Sequence, residues 1–268
     1  MSLNLLRRGF ADRRITLAVY ALSLAAYGIF ILAIWPAVSE SVELLEQLWE
    51  QYPESLRQAF GGEALQITTF DGFLVIEYFN SMWLIIMIAF AVSIATAAIS
   101  AEIEKGTMEV LLAQPITRRA VLLSRQLFFA LGLLLLIAAA LIPIALGAPL
   151  VGGDLNHAGM LALAVQEFLF IAAIGSVTFF FSVLFSSRGR AISASLGFVI
   201  FSYALDILAR INETVANVHF LSIFDYWDPY RYLHSLDFAW GDIAVLAAVI
   251  FLSTAAAAWQ FDRRDVAV

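Results

Sequence analysis

The stretch Val121–Leu146 reads VLLSRQLFFALGLLLLIAAALIPIAL. After Arg125 and Gln126 it carries no charged or amide side chain for about 20 residues, the length needed to cross a hydrocarbon core. A continuous apolar run of that length has one stable form in lipid. A helix satisfies every backbone polar group within the segment, and no water is present to do so otherwise. A barrel strand would show short segments alternating with period two, and this run does not alternate.

Five further runs of the same kind lie outward from it, at Ile15–Pro36, Phe79–Ser100, Met160–Phe185, Ala191–Leu208 and Asp242–Gln260. The composition agrees: 62% of the 268 residues are hydrophobic and 14% charged, against about half and a quarter in soluble domains. These features predict an all-α integral membrane fold of six transmembrane helices, filling residues 1–268 as a single transmembrane domain. The first run spans some 22 residues with no small-residue cleavage site after it, so it is read as a retained span.

Positive charge orients the spans. Arg7, Arg8, Arg13 and Arg14 precede span one, and Lys105, Arg118, Arg119 and Arg125 lie around the second connection. Arg188 and Arg190 mark the fourth connection, and Arg263 and Arg264 the C-terminus. The opposite side holds Arg57, Arg210 and Arg231, so the bias is twelve to three. Both termini are therefore expected in the cytoplasm of a multi-pass cell-membrane protein. The first outer connection, residues 38–78, is acidic, with Val38, Val42, Leu45, Trp49 and Tyr52 at helical spacing. It reads as an outer amphipathic helix or a solvated acidic loop. Leu3, Leu6 and Phe10 share a face beside arginines, as in a short interfacial helix on anionic lipid.

Much chemistry is excluded. The chain has no cysteine, and its net charge of −7 argues against nucleic acid. The single lysine, Lys105, sits between Glu104 and Gly106, so no Gly-Lys-Ser/Thr phosphate loop exists. His219, His234, Asp225 and Asp228 could approach one another around a metal, but their spacing matches no ligand motif. No catalytic, cofactor or metal residue is assigned.

The segment 101–119 carries the functional inference. Glu102, Glu104, Lys105 and Glu109 are its polar part, and Ile103, Val110, Leu111 and Leu112 its apolar part. Pro115 ends a helix, and Thr117 can cap the next one. The pattern predicts a short helix, a break and a re-entry into the membrane.

Here the residues resemble a known signature. Glu104-Lys105-Gly106-Thr107, then Glu109, Leu111-Leu112 and Gln114-Pro115-Ile116-Thr117-Arg118 look like the motif of the type-2 family of ABC transporter permeases. The ending Phe261-Asp262-Arg263-Arg264-Asp265 is similar to that family's exit from its last span. The run from Leu221 to Tyr230, within the connection 209–241, is similar to its outer hairpin.

The resemblance implies a cytoplasmic coupling helix that docks on a separate ABC ATPase, which would bind ATP and Mg. It also implies short outer-face helices, pairing with a second permease subunit as homodimer or heterodimer, and export. Glu102, Glu104, Gly106, Thr107, Met108, Glu109, Val110 and Leu111 become the candidate coupling residues. A two-state switch from 1:99 to 99:1 needs about 5.5 kcal/mol, and surface ion pairs contribute roughly 0–1 kcal/mol each. Met108, Val110 and Leu111 are thus expected as docking contacts, with the glutamates orienting and Gly106 permitting close backbone approach.

Two acids fall within spans. Glu167, inside span four, could line the pathway or bind a cationic substrate; alternatively it is neutral or snorkels outward. Asp206 lies near the outer end of span five. That span also carries Ala191 with Ser195, and Ser193 with Gly197, a spacing that permits close helix contact. Two rival functions share the layout: an ATP-independent carrier or channel, and a mechanically driven signalling or assembly subunit. The substrate is not legible, although the apolar and aromatic content suits amphipathic drug-like molecules or lipids.

Overall fold

The computed structural model describes residues 3–41, 53, 69–235 and 238–264. Among them six helices are long and apolar enough to cross a membrane. Spans one to six are Gly9–Ser39, Phe70–Ala98, Arg118–Val151, His157–Leu184, Arg188–Ile211 and Trp240–Arg263. No strand occurs among the described residues. The short helices Glu213–Ala216 and Pro229–Ser235 lie between spans five and six.

Two boundaries differ from expectation. The first helix runs unbroken from Leu3 to Ser39, so the separate interfacial helix and the stop at Pro36 are both corrected. Proline removes only its own N–H, and Ser39 Oγ donates to the Pro36 carbonyl at 2.9 Å. Span two begins at Phe70, nine residues before Phe79. Thr69 caps it, accepting from the Gly72 N–H at 3.2 Å. Asp71 and Glu77 therefore belong to the span and not to the outer connection.

The reason is a wide π turn from Val75 to Trp83, with Ser81 off helical geometry at φ −114° and ψ −113°. Such a turn leaves backbone carbonyls looking for donors. Tyr27 of span one supplies one, its hydroxyl donating to the Glu77 carbonyl at 2.6 Å. Ser81 Oγ donates to the same carbonyl. Tyr78 returns the contact, donating to the Leu24 carbonyl at 3.0 Å. Val42, Leu45, Trp49 and Tyr52 lie outside the described residues.

Span four is the hub. It packs against spans two, three, five and six and against the short helix Pro229–Ser235. Its glycines make that possible. A Cβ on Gly159 would sit 2.1 Å from the Leu233 carbonyl oxygen, and one on Gly175 would sit 2.4 Å from the Phe129 ring. Backbone cannot yield as a side chain can. Gly159→Val is therefore expected to destabilise the chain by about 1–3 kcal/mol and to expose the connection between spans five and six to protease. Thermal unfolding in detergent and limited proteolysis measure both, and wild-type values in each assay would contradict this packing.

Spans one and three pair closely. Spans five and six present Ile200, Phe201, Phe251 and Leu252 outward, as lipid-facing surfaces do. The Arg263 guanidinium lies 4.2 Å from the Trp259 ring centre, an aromatic and basic pair of the kind that anchors a span end at the interface. Asp206 is buried and paired with Arg210 at 3.0 Å, one helical turn away.

Candidate functional site

Span two stops at Ala98, and Ile99 turns the chain with φ −126° and ψ −65°. Two short helices follow, Ser100–Glu104 and Thr107–Leu112. Between them Gly106 adopts φ +69° and ψ 4°, a left-handed conformation that glycine takes without penalty. The Gly106 N–H donates to the Ile103 carbonyl at 2.9 Å, closing the first helix. The break expected at Pro115 is present, and Gly106 adds an earlier one. Thr117 then caps span three, accepting from the Ala120 N–H at 3.2 Å.

This elbow is tied to the bundle at three points. The Ser100 N–H, freed by the turn at Ile99, donates to Ser182 Oγ of span four at 3.0 Å. The Glu104 carboxylate accepts from the Arg188 N–H at the start of span five at 2.9 Å. Glu102 lies 3.7 Å from Arg125 of span three and accepts from the Thr107 hydroxyl at 2.6 Å. Two of the glutamates expected to orient a partner thus brace the elbow itself.

The apolar residues divide similarly. Met108 is 0% exposed and belongs to the chain's own core, which corrects its expected role as an outward docking contact. Leu111 is half-buried against that core. Val110 is 70% exposed, and Thr107 and Glu109 are also exposed. Nothing approaches a Cβ built on Gly106 within 4 Å, so its glycine requirement is conformational and does not come from a close backbone approach within the chain.

The family model for ABC-2 family transporter proteins matches residues 4–266, nearly the whole chain. This chain belongs to the ABC-2 transporter family. It is a multi-pass membrane permease, and permeases of this family generally work with an ABC ATPase. No curated protein matches it.

At the hub of this ABC-2 permease, Glu167 is 0% exposed. Both carboxyl oxygens lack a hydrogen-bond partner, so it neither snorkels nor faces an open channel in this conformation. Its neighbour Gln166 donates to the Tyr226 carbonyl at 3.2 Å. His219, His234, Asp225 and Asp228 do not gather at one point: His219 pairs with Asp225 at 2.8 Å and His234 with Asp71 at 3.5 Å. Among the described residues no group of three or more potential metal ligands occurs.

Sequence reading missed the arginine clamps at the far ends of the spans. Arg118 donates to the Phe261 carbonyl at 2.8 Å and to the Arg264 carbonyl. Arg264 in turn donates to the Val183 carbonyl and to Ser186 Oγ at 2.6 Å. Each cation meets carbonyls at a helix C-terminus, where the dipole favours it. Burial lowers the pKa of Arg264. The available signal was an arginine at each span end, read only as topology.

Proposed function

We propose that this permease is the membrane half of an exporter driven by a separate ABC ATPase, which docks on the elbow between spans two and three. The observation that carries this is the elbow's two-sided build. One side is bonded to spans three, four and five through Glu102, Ser100 and Glu104. The other presents Val110, 70% exposed, beside Glu109 and Thr107. An exposed apolar side chain on a braced lever suits a contact through which a partner pulls. Gly106 sets the direction of the second helix, and Met108 and Leu111 root it.

In this reading the arginine-rich end is cytoplasmic, the membrane is the cell membrane, and ATP with Mg binds the partner. A second permease subunit completes the pathway. Ser193 and Gly197 support that pairing, because both are exposed on span five and a Cβ on Gly197 would meet nothing within 4 Å. The cargo is proposed to be an amphipathic drug-like or lipid molecule, and Glu167 would meet it when the spans part.

Val110→Glu tests the docking site. The side chain is exposed, so folding should be unaffected, while ATPase co-purification should fall at least tenfold, or about 1.4 kcal/mol. Gly106→Val tests the lever: a β-branched residue there costs about 1–2 kcal/mol and should re-aim the second helix. Unchanged co-purification and transport in both variants would place the ATPase elsewhere.

A further inference from the structure

A polar cleft of about 310 Å³ opens at the arginine-rich end of the bundle, between spans one, two and five. Arg13, Thr16, Lys105 and Arg188 line it, together with Ser93 and Glu102. Arg125 lies close enough for its charge to act on Arg13, as do Arg188, Glu102 and Asp12. Three cations from three different elements, Arg13, Lys105 and Arg188, therefore line one concavity.

The acids there are already engaged. Glu102 accepts from Thr107 and faces Arg125, and Glu104 accepts from the Arg188 N–H. The cations are less well matched. The Nε atoms of Arg125 and Arg188 are buried without a hydrogen-bond partner. Among the described residues Arg13 makes one long bond, to the Ala97 carbonyl at 3.4 Å. Like charges held together with donors unfilled call for an anion. Guanidinium forks match the paired oxygens of a phosphate.

The cleft does not end in polar surface. Ser93 and Ala97 line span two there, and the same face continues into the bilayer as Ala89 and Ile85, both exposed. These residues recur every four positions, one above another on the helix. Ile85 stands about 12 Å deeper than Ser93. A ligand with an anionic head and an apolar tail matches both parts, and the cleft sits at span ends, where phospholipid headgroups lie.

We propose that this cleft binds the phosphate of an anionic phospholipid in the adjacent leaflet, with Arg13, Arg188 and Lys105 on the phosphate and the Ala89–Ile85 stripe against an acyl chain. Its lipid test needs no ATPase, so the proposal can fail while the exporter reading stands.

The test uses the purified full chain in phosphatidylcholine nanodiscs doped with phosphatidylglycerol, with retained lipid counted by native mass spectrometry. Arg190→Gln, an exposed arginine at the same end outside the cleft, should retain phosphatidylglycerol as wild type does. Arg13→Gln with Arg188→Gln should retain about 25-fold less, at roughly fivefold per cation lost. Lys105→Glu alters only an exposed rim residue, so it reads the site even where the double variant misfolds, and it should lose at least fivefold. Wild-type retention in the folded cleft variants overturns the proposal. So does stabilisation by inorganic phosphate that depends on Arg13 and Arg188 without any effect of phosphatidylglycerol, because the ligand is then a soluble phosphate.

Discussion

Glu167→Met is expected to stabilise the chain by about 1–3 kcal/mol and to cut transport at least tenfold. Glu167 is 0% exposed at the centre of the span-four hub, and neither carboxyl oxygen has a partner. Removing a polar group from water without giving it a hydrogen bond is unfavourable. An apolar side chain of similar length removes that penalty and keeps the packing. A residue that weakens the fold where it sits is explained by what it does in another conformation, and an intramembrane acid is by default a functional group. Scanning calorimetry in detergent reads the first effect. Uptake of an amphipathic fluorescent probe by inverted vesicles, with the ATPase present, reads the second. If stability falls, the oxygens have found partners; if transport is unchanged, the acid has no place in the pathway.

Trp83→Ala is expected to cost about 3–5 kcal/mol, while Trp83→Phe should cost less than about 1.5 kcal/mol. Trp83 is fully buried at the inner end of the π turn. Its ring stacks on Trp227 of the hairpin between spans five and six, with centres 5.3 Å apart and planes 4° from parallel. Trp227 is itself 4.7 Å from Phe170 of span four and donates through Nε1 to Asn80 Oδ1 at 2.8 Å. The pair thus joins span two, span four and the hairpin. Alanine empties the centre of that cluster. Phenylalanine keeps a ring for Trp227 to lie against and removes an indole N–H that has no partner. Thermal unfolding of both variants decides the matter, and a cost under about 1 kcal/mol for alanine would falsify the stack as a structural joint.

Much of the architecture was legible because its driving force is local. Whether Val121–Leu146 enters lipid depends on those residues and on no distant partner. Thr117 as a helix cap was legible for the same reason, since a cap bonds three residues ahead. The start of span two was not. Asp71 and Glu77 interrupt the apolar run, so the hydropathy boundary fell at Phe79. The segment is helical from Phe70 because Tyr27, fifty residues earlier, satisfies the widened turn. The elbow shows the same division. Its short helices and its exposed Val110 follow the local pattern. The bracing by Glu102, Ser100 and Glu104 depends on Arg125, Ser182 and Arg188, which are remote in the chain.

The sequence alone determined that this chain crosses the membrane six times as helices, and its stretch between spans two and three resembles the motif of ABC-2 permeases. Hydrocarbon reads each run of about 20 residues independently, so composition along the chain suffices. Only the tertiary structure decided that span four is the hub, that Glu167 is sealed inside it, and that three cations share one cleft. Those outcomes depend on which helix faces meet, and a face is assigned by packing among residues far apart in sequence.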